Sequence, residues 1–305
     1  MPARPILRMY SNLAPLRDPV FLGAFAGRGG GSAAAAVQYL VDQWDAQPVG
    51  ELDPEECFDF TVRRPVVRLD NGVRVVNWPK NQIFLSRDAT SGRDVLLLPG
   101  IEPHIRWAAF CEAITDTLLG VGCHTAIILG SRTAALPHTR PVPFRLVTNE
   151  PSFSQTFGTE ATVPNYEGPT GITTVLAARL AKAEIQVASL TSLSPFYVQS
   201  EPNPSAVIAI VQAVDRAYGS QTKLDALRDK QREVDSATEV AAEQATELRA
   251  AITSLEQQYD QERGITPSAT EVSPTELPSG SEVVADLEEF FRQLRTGEGD
   301  SPSSP

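Results

Sequence analysis

Seven residues combine a reactive or ligand-binding type with a suitable setting: Glu102, Arg106, His138, Arg140, Gly29, Gly30 and Thr170. They fall in four loops, three of which follow an apolar, strand-like run. The first loop is Gly27-Arg28-Gly29-Gly30-Gly31-Ser32. A glycine turn between a strand and a helix exposes backbone N–H groups that can cradle an anion at the helix N-terminus. The Gly-x-Gly-x-x-Gly pattern fails here because its third glycine is Ser32, and no Gly-Lys-Ser/Thr follows. Two readings stand, an anion cradle and a turn that needs glycine for steric reasons. The second loop, Gly100-Ile101-Glu102-Pro103-His104-Ile105-Arg106-Trp107, follows a buried run. Open α/β sheets place ligands beyond the C-terminal ends of their strands. Glu102, His104 and Arg106 suit acid–base work or anion contact there. In the structural alternative Pro103 starts a helix, Glu102 answers its dipole and Arg106 pairs with Glu102.

The third loop is Pro137-His138-Thr139-Arg140-Pro141-Val142-Pro143, whose three prolines hold His138 and Arg140 in fixed orientation. Arg140 suits a bidentate carboxylate or phosphate. A histidine beside an arginine is more often a hydrogen-bonded structural residue than a catalyst. The fourth is Tyr166-Glu167-Gly168-Pro169-Thr170-Gly171-Ile172, where Thr170 is a ligand contact or an N-cap. No Gly-x-Ser-x-Gly elbow, His-Glu-x-x-His helix or kinase set occurs, so no residue is assigned a catalytic role. Cys57, Cys111 and Cys123 sit in apolar surroundings without a Cys-x-x-Cys or Cys/His cluster. They read as buried free thiols in a reducing compartment, and neither a metal site nor a cofactor is expected.

These loops need a scaffold. Strand-like runs at 19–25, 82–86, 94–99, 123–130, 143–148 and 184–191 alternate with helical patterns at 33–44, 105–120, 170–182 and 205–218, the last closed by Gly219. Residues 60–68 and 72–78 flank Asp70-Asn71-Gly72, a strong hairpin signal. The alternation predicts an α/β fold, a mostly parallel sheet with helices on both faces, over residues 1–219. Residues 220–263 lack Pro and Gly, and Leu227, Val234, Ala241, Leu248 and Leu255 recur at heptad spacing. A second seam of Leu224, Ala245, Ile252 and Tyr259 is interrupted by Gln231 and Thr238. The segment forms one helix of ~60 Å, or it breaks near the weak middle into a hairpin that folds back on the core. Residues 264–305 read as an acidic tail. Its parts 264–280 and 296–305 lack the apolar content to fold. Residues 281–295 carry Val283, Val284, Leu287, Phe290, Phe291 and Leu294 at helical spacing. This amphipathic helix requires a groove on the chain itself or on a protein partner.

The formal net charge is −12, of which −2 belongs to residues 1–219 and −10 to residues 220–305. That balance disfavours nucleic acid, which needs a dense basic patch. No apolar run reaches the ~20 residues of a membrane span, and the N-terminus lacks a secretory apolar region. A soluble, cytoplasmic protein is expected.

Several of these motifs together resemble the actinobacterial branch of the proteasome assembly chaperone 2-like (PAC2) family. They are Gly100-Ile101-Glu102-Pro103 with Arg106-Trp107, Pro137 to Pro143, and Tyr166 to Ile172, with Ala24-Phe25, Gly27, Arg64-Pro65 and Leu255-Glu256 in support. The resemblance spans residues 18–260. It implies a three-layer α/β/α sandwich, phosphorylase/hydrolase-like, with a C-terminal helical extension. It also implies a homo-oligomer, a trimer, among relatives that assist proteasome assembly. Three departures stand out. The family's Gly-Trp-Asn-Asp-Ala-Gly loop is Gly27 to Ser32 here, its Pro-His-Tyr run is Pro195-Phe196-Tyr197, and the end Ser303-Ser304-Pro305 lacks a hydrophobic-Tyr-any tail. The expected function is that of a non-enzymatic, self-associating assembly-chaperone-like protein or interaction scaffold. The alternative is a nucleoside, phosphate or carboxylate binder, or a hydrolase/phosphorylase-like enzyme, using Glu102, Arg106, His138 and Arg140.

Overall fold

Uncharged apolar runs become the centre of the sheet. The computed structural model describes residues 5–13, 15–27, 30–87 and 92–263. Strand β2 (Val20–Ala26) is buried almost throughout and lies between β7 (Val95–Ile101) and β8 (Thr125–Ala134), parallel to both. Beyond β8, β10 (Gln186–Pro195) continues the parallel set. The eight-stranded order is β1-β3-β6-β7-β2-β8-β10-β9, with β1 (Leu7–Met9), β3 (Gln47–Leu52), β6 (Asn81–Ser86) and β9 (Phe144–Thr148). The expectation of a mostly parallel sheet therefore holds only for the central four strands, because β1, β3, β6 and β9 pair antiparallel. The connection 87–94 between β6 and β7 is too short to hold a crossover helix, so those two strands must run opposite ways.

Helices cover both faces. The helices α1 (Ser32–Gln43) and α6 (Pro204–Tyr218), with the short α4 (Ser152–Phe157), bury Val37, Leu40, Phe153, Ile210 and Val214 against one face. The helices α3 (Trp107–Gly120) and α5 (Ile172–Lys182), with the short α2 (Pro54–Cys57), bury Cys57, Phe110, Ile114, Leu176 and Leu180 against the other. Each such aliphatic side chain contributes about 1.5–3 kcal/mol relative to exposure. The result is a three-layer α/β/α sandwich.

Local chemistry moves several boundaries. The Asn-Gly turn forms its hairpin from β4 (Val66–Asp70) and β5 (Val73–Asn77), but residues 60–65 are not strand. Asp59 accepts hydrogen bonds from the Thr61 N–H (2.8 Å) and hydroxyl (2.6 Å), which bends the chain there. Helix α3 starts at Trp107 rather than at Pro103, because Arg106 sits in the left-handed region at φ 56°. Helix α5 is capped by Gly171, not by Thr170.

Residues 220–263 are a helical hairpin: α7 (Asp225–Gln244) and α8 (Thr246–Glu262) join at the extended residue Ala245. The break lies beyond the weak heptads around Gln231 and Thr238. It lies where Ala242, Leu248, Ala251, Ile252 and Leu255 close over Phe196 and Tyr197 at the exit of β10. The anticipated helix at 281–295 and its flanks lie outside the described residues, as does Gly29. No described helix is long and apolar enough to cross a membrane.

Candidate functional site

The four parallel strands end together, and their exit loops carry Gly30, Glu102, Arg106, His138 and Arg140. Thr170 lies exposed just before α5. At β2 the chain passes from Gly27 through Gly30 into α1. The N-cap of α1 is Gly31, which has no side chain to answer the first helical N–H groups. Glu201, from the exit of β10, answers the first of them. Its Oε1 accepts from the Gly31 N–H at 2.5 Å and from the Ser32 hydroxyl at 3.2 Å. Ser131 of β8 accepts from the Ala33 N–H at 3.4 Å. A methyl group on Gly30 would stand 3.3 Å from Glu201 Oε2, and φ at Gly30 is 105°, so glycine is required there on two counts. The next helix N-terminus is tied to the same network. Ser32 Oγ accepts from the Asn203 N–H (2.9 Å), and Asn203 caps α6 through its bond from Ser205 N–H (2.9 Å).

Glu102 does the same for α5. Its Oε1 accepts from the Ile172 N–H at 2.9 Å, and its own N–H donates to Ala26 O at 2.9 Å. A Cβ on Gly27 would meet Glu102 Oε2 at 2.6 Å, and one on Gly171 would meet Oε1 at 3.1 Å. Two glycines thus make room for one carboxylate. At both helices the place an anionic ligand would take is held by the chain's own carboxylate, each favoured by the helix dipole by about 0.3–1 kcal/mol. Arg106 does not pair with Glu102. It makes its ion pair with Glu56 of α2, while His104 Nδ1 accepts from the Asp59 N–H at 3.1 Å.

His138 and Arg140 face a different partner, the α7–α8 hairpin. Tyr197 Oη accepts from the His138 backbone N–H at 2.8 Å and lies 2.9 Å from His138 Nδ1. Glu239 of α7 lies 3.1 Å from Nε2. An ionised Glu239 carboxylate can only accept, so in the neutral imidazole the proton facing it is on Nε2 and Nδ1 is left to accept from the Tyr197 hydroxyl. Both ring nitrogens are engaged and the side chain is 5% exposed, which leaves neither nitrogen to move a substrate proton. Burial pushes the Tyr197 phenol upward, so it stays protonated. Glu239 is held below the usual carboxylate range, first by the hydrogen bond from Arg249 of α8.

Arg140 has a bidentate carboxylate in Asp260 of α8: Nε–Oδ1 is 2.8 Å and Nη2–Oδ2 is 2.7 Å. Glu256, one turn earlier, binds Arg140 at 3.4 Å and also Thr139. Tyr259 donates to Pro141 O at 2.8 Å. The hydrogen bonds from Arg140 depress the Asp260 carboxyl and raise the guanidinium. The proline-rich run is thus a rigid rail to which α8 is fastened.

The six described residues do not gather round one reacting centre. Glu102 closes α5, Gly30 makes room for Glu201, Arg106 joins α2, and His138 with Arg140 clamps α7 and α8. The partners Glu201, Glu239 and Asp260 were not anticipated. Glu201-Pro202-Asn203-Pro204 does carry a signal, an Asn-Pro helix start just after a strand. Glu256 and Asp260, four apart on one helix face, carry another. Among the described residues no cluster of His, Cys, Asp and Glu has metal-site geometry.

Comparison with known proteins places this architecture. A family model described as PAC2 family matches residues 29–242. A PAC2 family protein from Streptomyces avermitilis is 34% identical, with a TM-score of 0.67, covering 77% of this chain and 99% of its own. A Mycobacterium tuberculosis proteasome-assembly chaperone homologue is also 34% identical, with a TM-score of 0.67, over 76% of this chain and 99% of its own. A Corynebacterium glutamicum protein of unknown function shares the fold at 23% identity, with a TM-score of 0.76, covering 85% of this chain and 98% of its own. No curated protein matches.

Proposed function

The chain belongs to the PAC2 family, and from that premise we propose that it acts by binding proteins, as an assembly-chaperone-like molecule that also associates with itself. One observation carries the reading. The N-termini of α1 and α5, the two anion sites that the strand exits create, are filled by Glu201 and Glu102 of the chain itself. A fold that closes its own ligand positions has its surface left to work with. The similar Mycobacterium tuberculosis protein is described as a proteasome-assembly chaperone homologue, which makes proteasome subunits the first partner to try. The cytoplasm as compartment, a trimeric state and a partner contact through residues 281–295 belong to the same proposal. Three buried free thiols are in keeping with a reducing compartment.

A ligand-binding alternative keeps one supporting observation. His138 and Arg140 border a groove of ≈ 270 Å³ along α6, together with Ser205, Gln212, Arg216 and Gln231. One experiment separates the readings. The purified chain is mixed with mycobacterial proteasome α-subunits and, in parallel, melted with nucleosides, nucleotides, phosphate and carboxylates. Co-migration with α-subunits and no melting shift is the expected result. A saturable shift, worth about 2.7 kcal/mol at a hundred times Kd, together with no co-migration, overturns it.

A further inference from the structure

Among the described residues, the β4–β5 hairpin is an uncovered arm. Every residue of both strands is exposed, although Val66, Val67, Leu69, Val73, Val75 and Val76 are apolar. Directly opposed residues share a face in an antiparallel pair. One face therefore carries Val67, Val76 and Leu69, with Trp78 in line, and the other carries Val66, Val75 and Val73. The first face adds only Arg74 to its apolar residues, whereas the second also carries Arg68, Asp70 and Asn77, so the apolar ladder of the arm is the side of Val67, Leu69, Val76 and Trp78. The arm forms its own two-stranded sheet, a unit that is marginal in water when alone. At its base Trp78 meets Phe60 edge-on, with ring centroids 4.8 Å apart. Leu69 is 71% exposed and Val73 65%. Contiguous exposed apolar side chains of this kind mark interaction sites on soluble proteins.

A matching surface lies elsewhere on the chain. Between α1, α6 and α7 runs a groove of ≈ 430 Å³ with Ala35, Val207, Leu227 and Val234 along it and Asp42 and Glu233 beside them. Its two acids outnumber the single Lys230. Residues 63–78 hold four arginines, Arg63, Arg64, Arg68 and Arg74, against Asp70 alone. Apolar meets apolar and basic meets acidic. The arm does not fill its own groove. It springs from Phe58 and Phe60 on the α3–α5 side of the sheet, whereas the groove opens on the α1–α6 side.

We infer that the β4–β5 arm of one copy lies in the α1–α6–α7 groove of a second copy. The two surfaces differ, so the contact is head-to-tail, and repeating it builds a ring where its rotation closes and a filament where it does not. This rests on the self-association part of the proposed function and names the surfaces that perform it.

Thiol cross-linking tests it. The native cysteines are buried and their thiols pushed up, Cys57 to about 12 and Cys111 and Cys123 to about 11, so introduced surface cysteines react alone. Leu69→Cys and Gln38→Cys are made separately and mixed under oxidation. A disulfide between the two variants, absent from Leu69→Cys alone, is the expected outcome. A dimer from Leu69→Cys alone means arm pairs with arm and overturns the inference. In sedimentation, Leu69→Glu loses the assembled species. Glu233→Arg also weakens it, and adding Arg74→Glu restores it. An assembled mass unchanged in Leu69→Glu defeats the inference but leaves self-association standing. A wild-type chain that sediments as a monomer at every concentration defeats both, while α-subunit binding still judges the partner reading on its own.

Discussion

The strand exits and the β4–β5 arm are opposites. At the exits, polar groups are answered from within the chain: Glu201 meets Gly31 and Ser32, Glu102 meets Ile172, and Asp260 meets Arg140. On the arm, six apolar side chains stay exposed among the described residues. A cleft with its hydrogen bonds already satisfied gains little from a polar ligand, because a newcomer must first displace an internal carboxylate. An apolar ladder standing in water gains from almost any cover. The contrast locates the capacity for interaction on the arm rather than in the cleft that the strand topology would suggest.

The contrast is broken most severely by loosening the closed region. Leu255 is 2% exposed in the cluster that fastens α8 over Tyr197. Leu255→Ala is expected to cost about 2–5 kcal/mol in urea unfolding, the range for cavities in packed cores. A cost under about 0.5 kcal/mol would mean that α8 is not part of the cooperative fold. Next comes Glu201→Ala, which removes the acceptor from Gly31 N–H. It is expected to lower stability by about 1 kcal/mol and to make melting respond to inorganic phosphate, while the native chain is expected not to respond. If the native chain responds equally, Glu201 is not what closes the site.

How much of this was legible in the sequence follows the range of the forces involved. The core strands were readable because runs such as Asp94-Val95-Leu96-Leu97-Leu98-Pro99 have no use for water on either face. The hairpin was readable because Asn71-Gly72 fixes its turn locally, with φ 48° and 82°. Strand β3 was not, since Pro48 and Gly50 interrupt it with a bulge that only pairing with β6 stabilises. The site was legible in type and not in partner. Arg140 called for a bidentate carboxylate, but Asp260 lies 120 residues away and only the fold of α8 brings it there. Thr170 looked like a cap because the sequence hides that Glu102 reaches the same helix from another strand.

A smaller effect comes from pH. Asp260 and Glu239 are both held below their ordinary values, 3.8 and 4.5, by hydrogen bonds from Arg140 and Arg249 respectively. A carboxyl depressed in the folded state stabilises fully above its unfolded value, and that stability is lost as pH falls through the folded one. Wild-type unfolding midpoints should therefore drop below about pH 4. Arg140→Gln should drop less over the same range, since it already lacks the Asp260 contribution at neutral pH. Equal drops would show that the pair adds nothing to the closure of α8.

The smallest effect on stability is expected where the largest effect on assembly is. Leu69→Glu replaces a side chain that is 71% exposed and whose opposed neighbour is Arg74. Within one chain nothing is uncovered and no hydrogen bond is lost, and a Glu–Arg cross-strand pair adds a few tenths of a kcal/mol. Unfolding at concentrations low enough to keep copies apart should shift by no more than about 0.5 kcal/mol in either direction. The same substitution places a carboxylate on the face proposed to enter a groove already bordered by Asp42 and Glu233. Measured at rising protein concentration, the wild-type chain should gain apparent stability by mass action while Leu69→Glu stays level. Parallel rises in the two proteins would put the association surface elsewhere and leave the arm as an apolar hairpin without an assigned role.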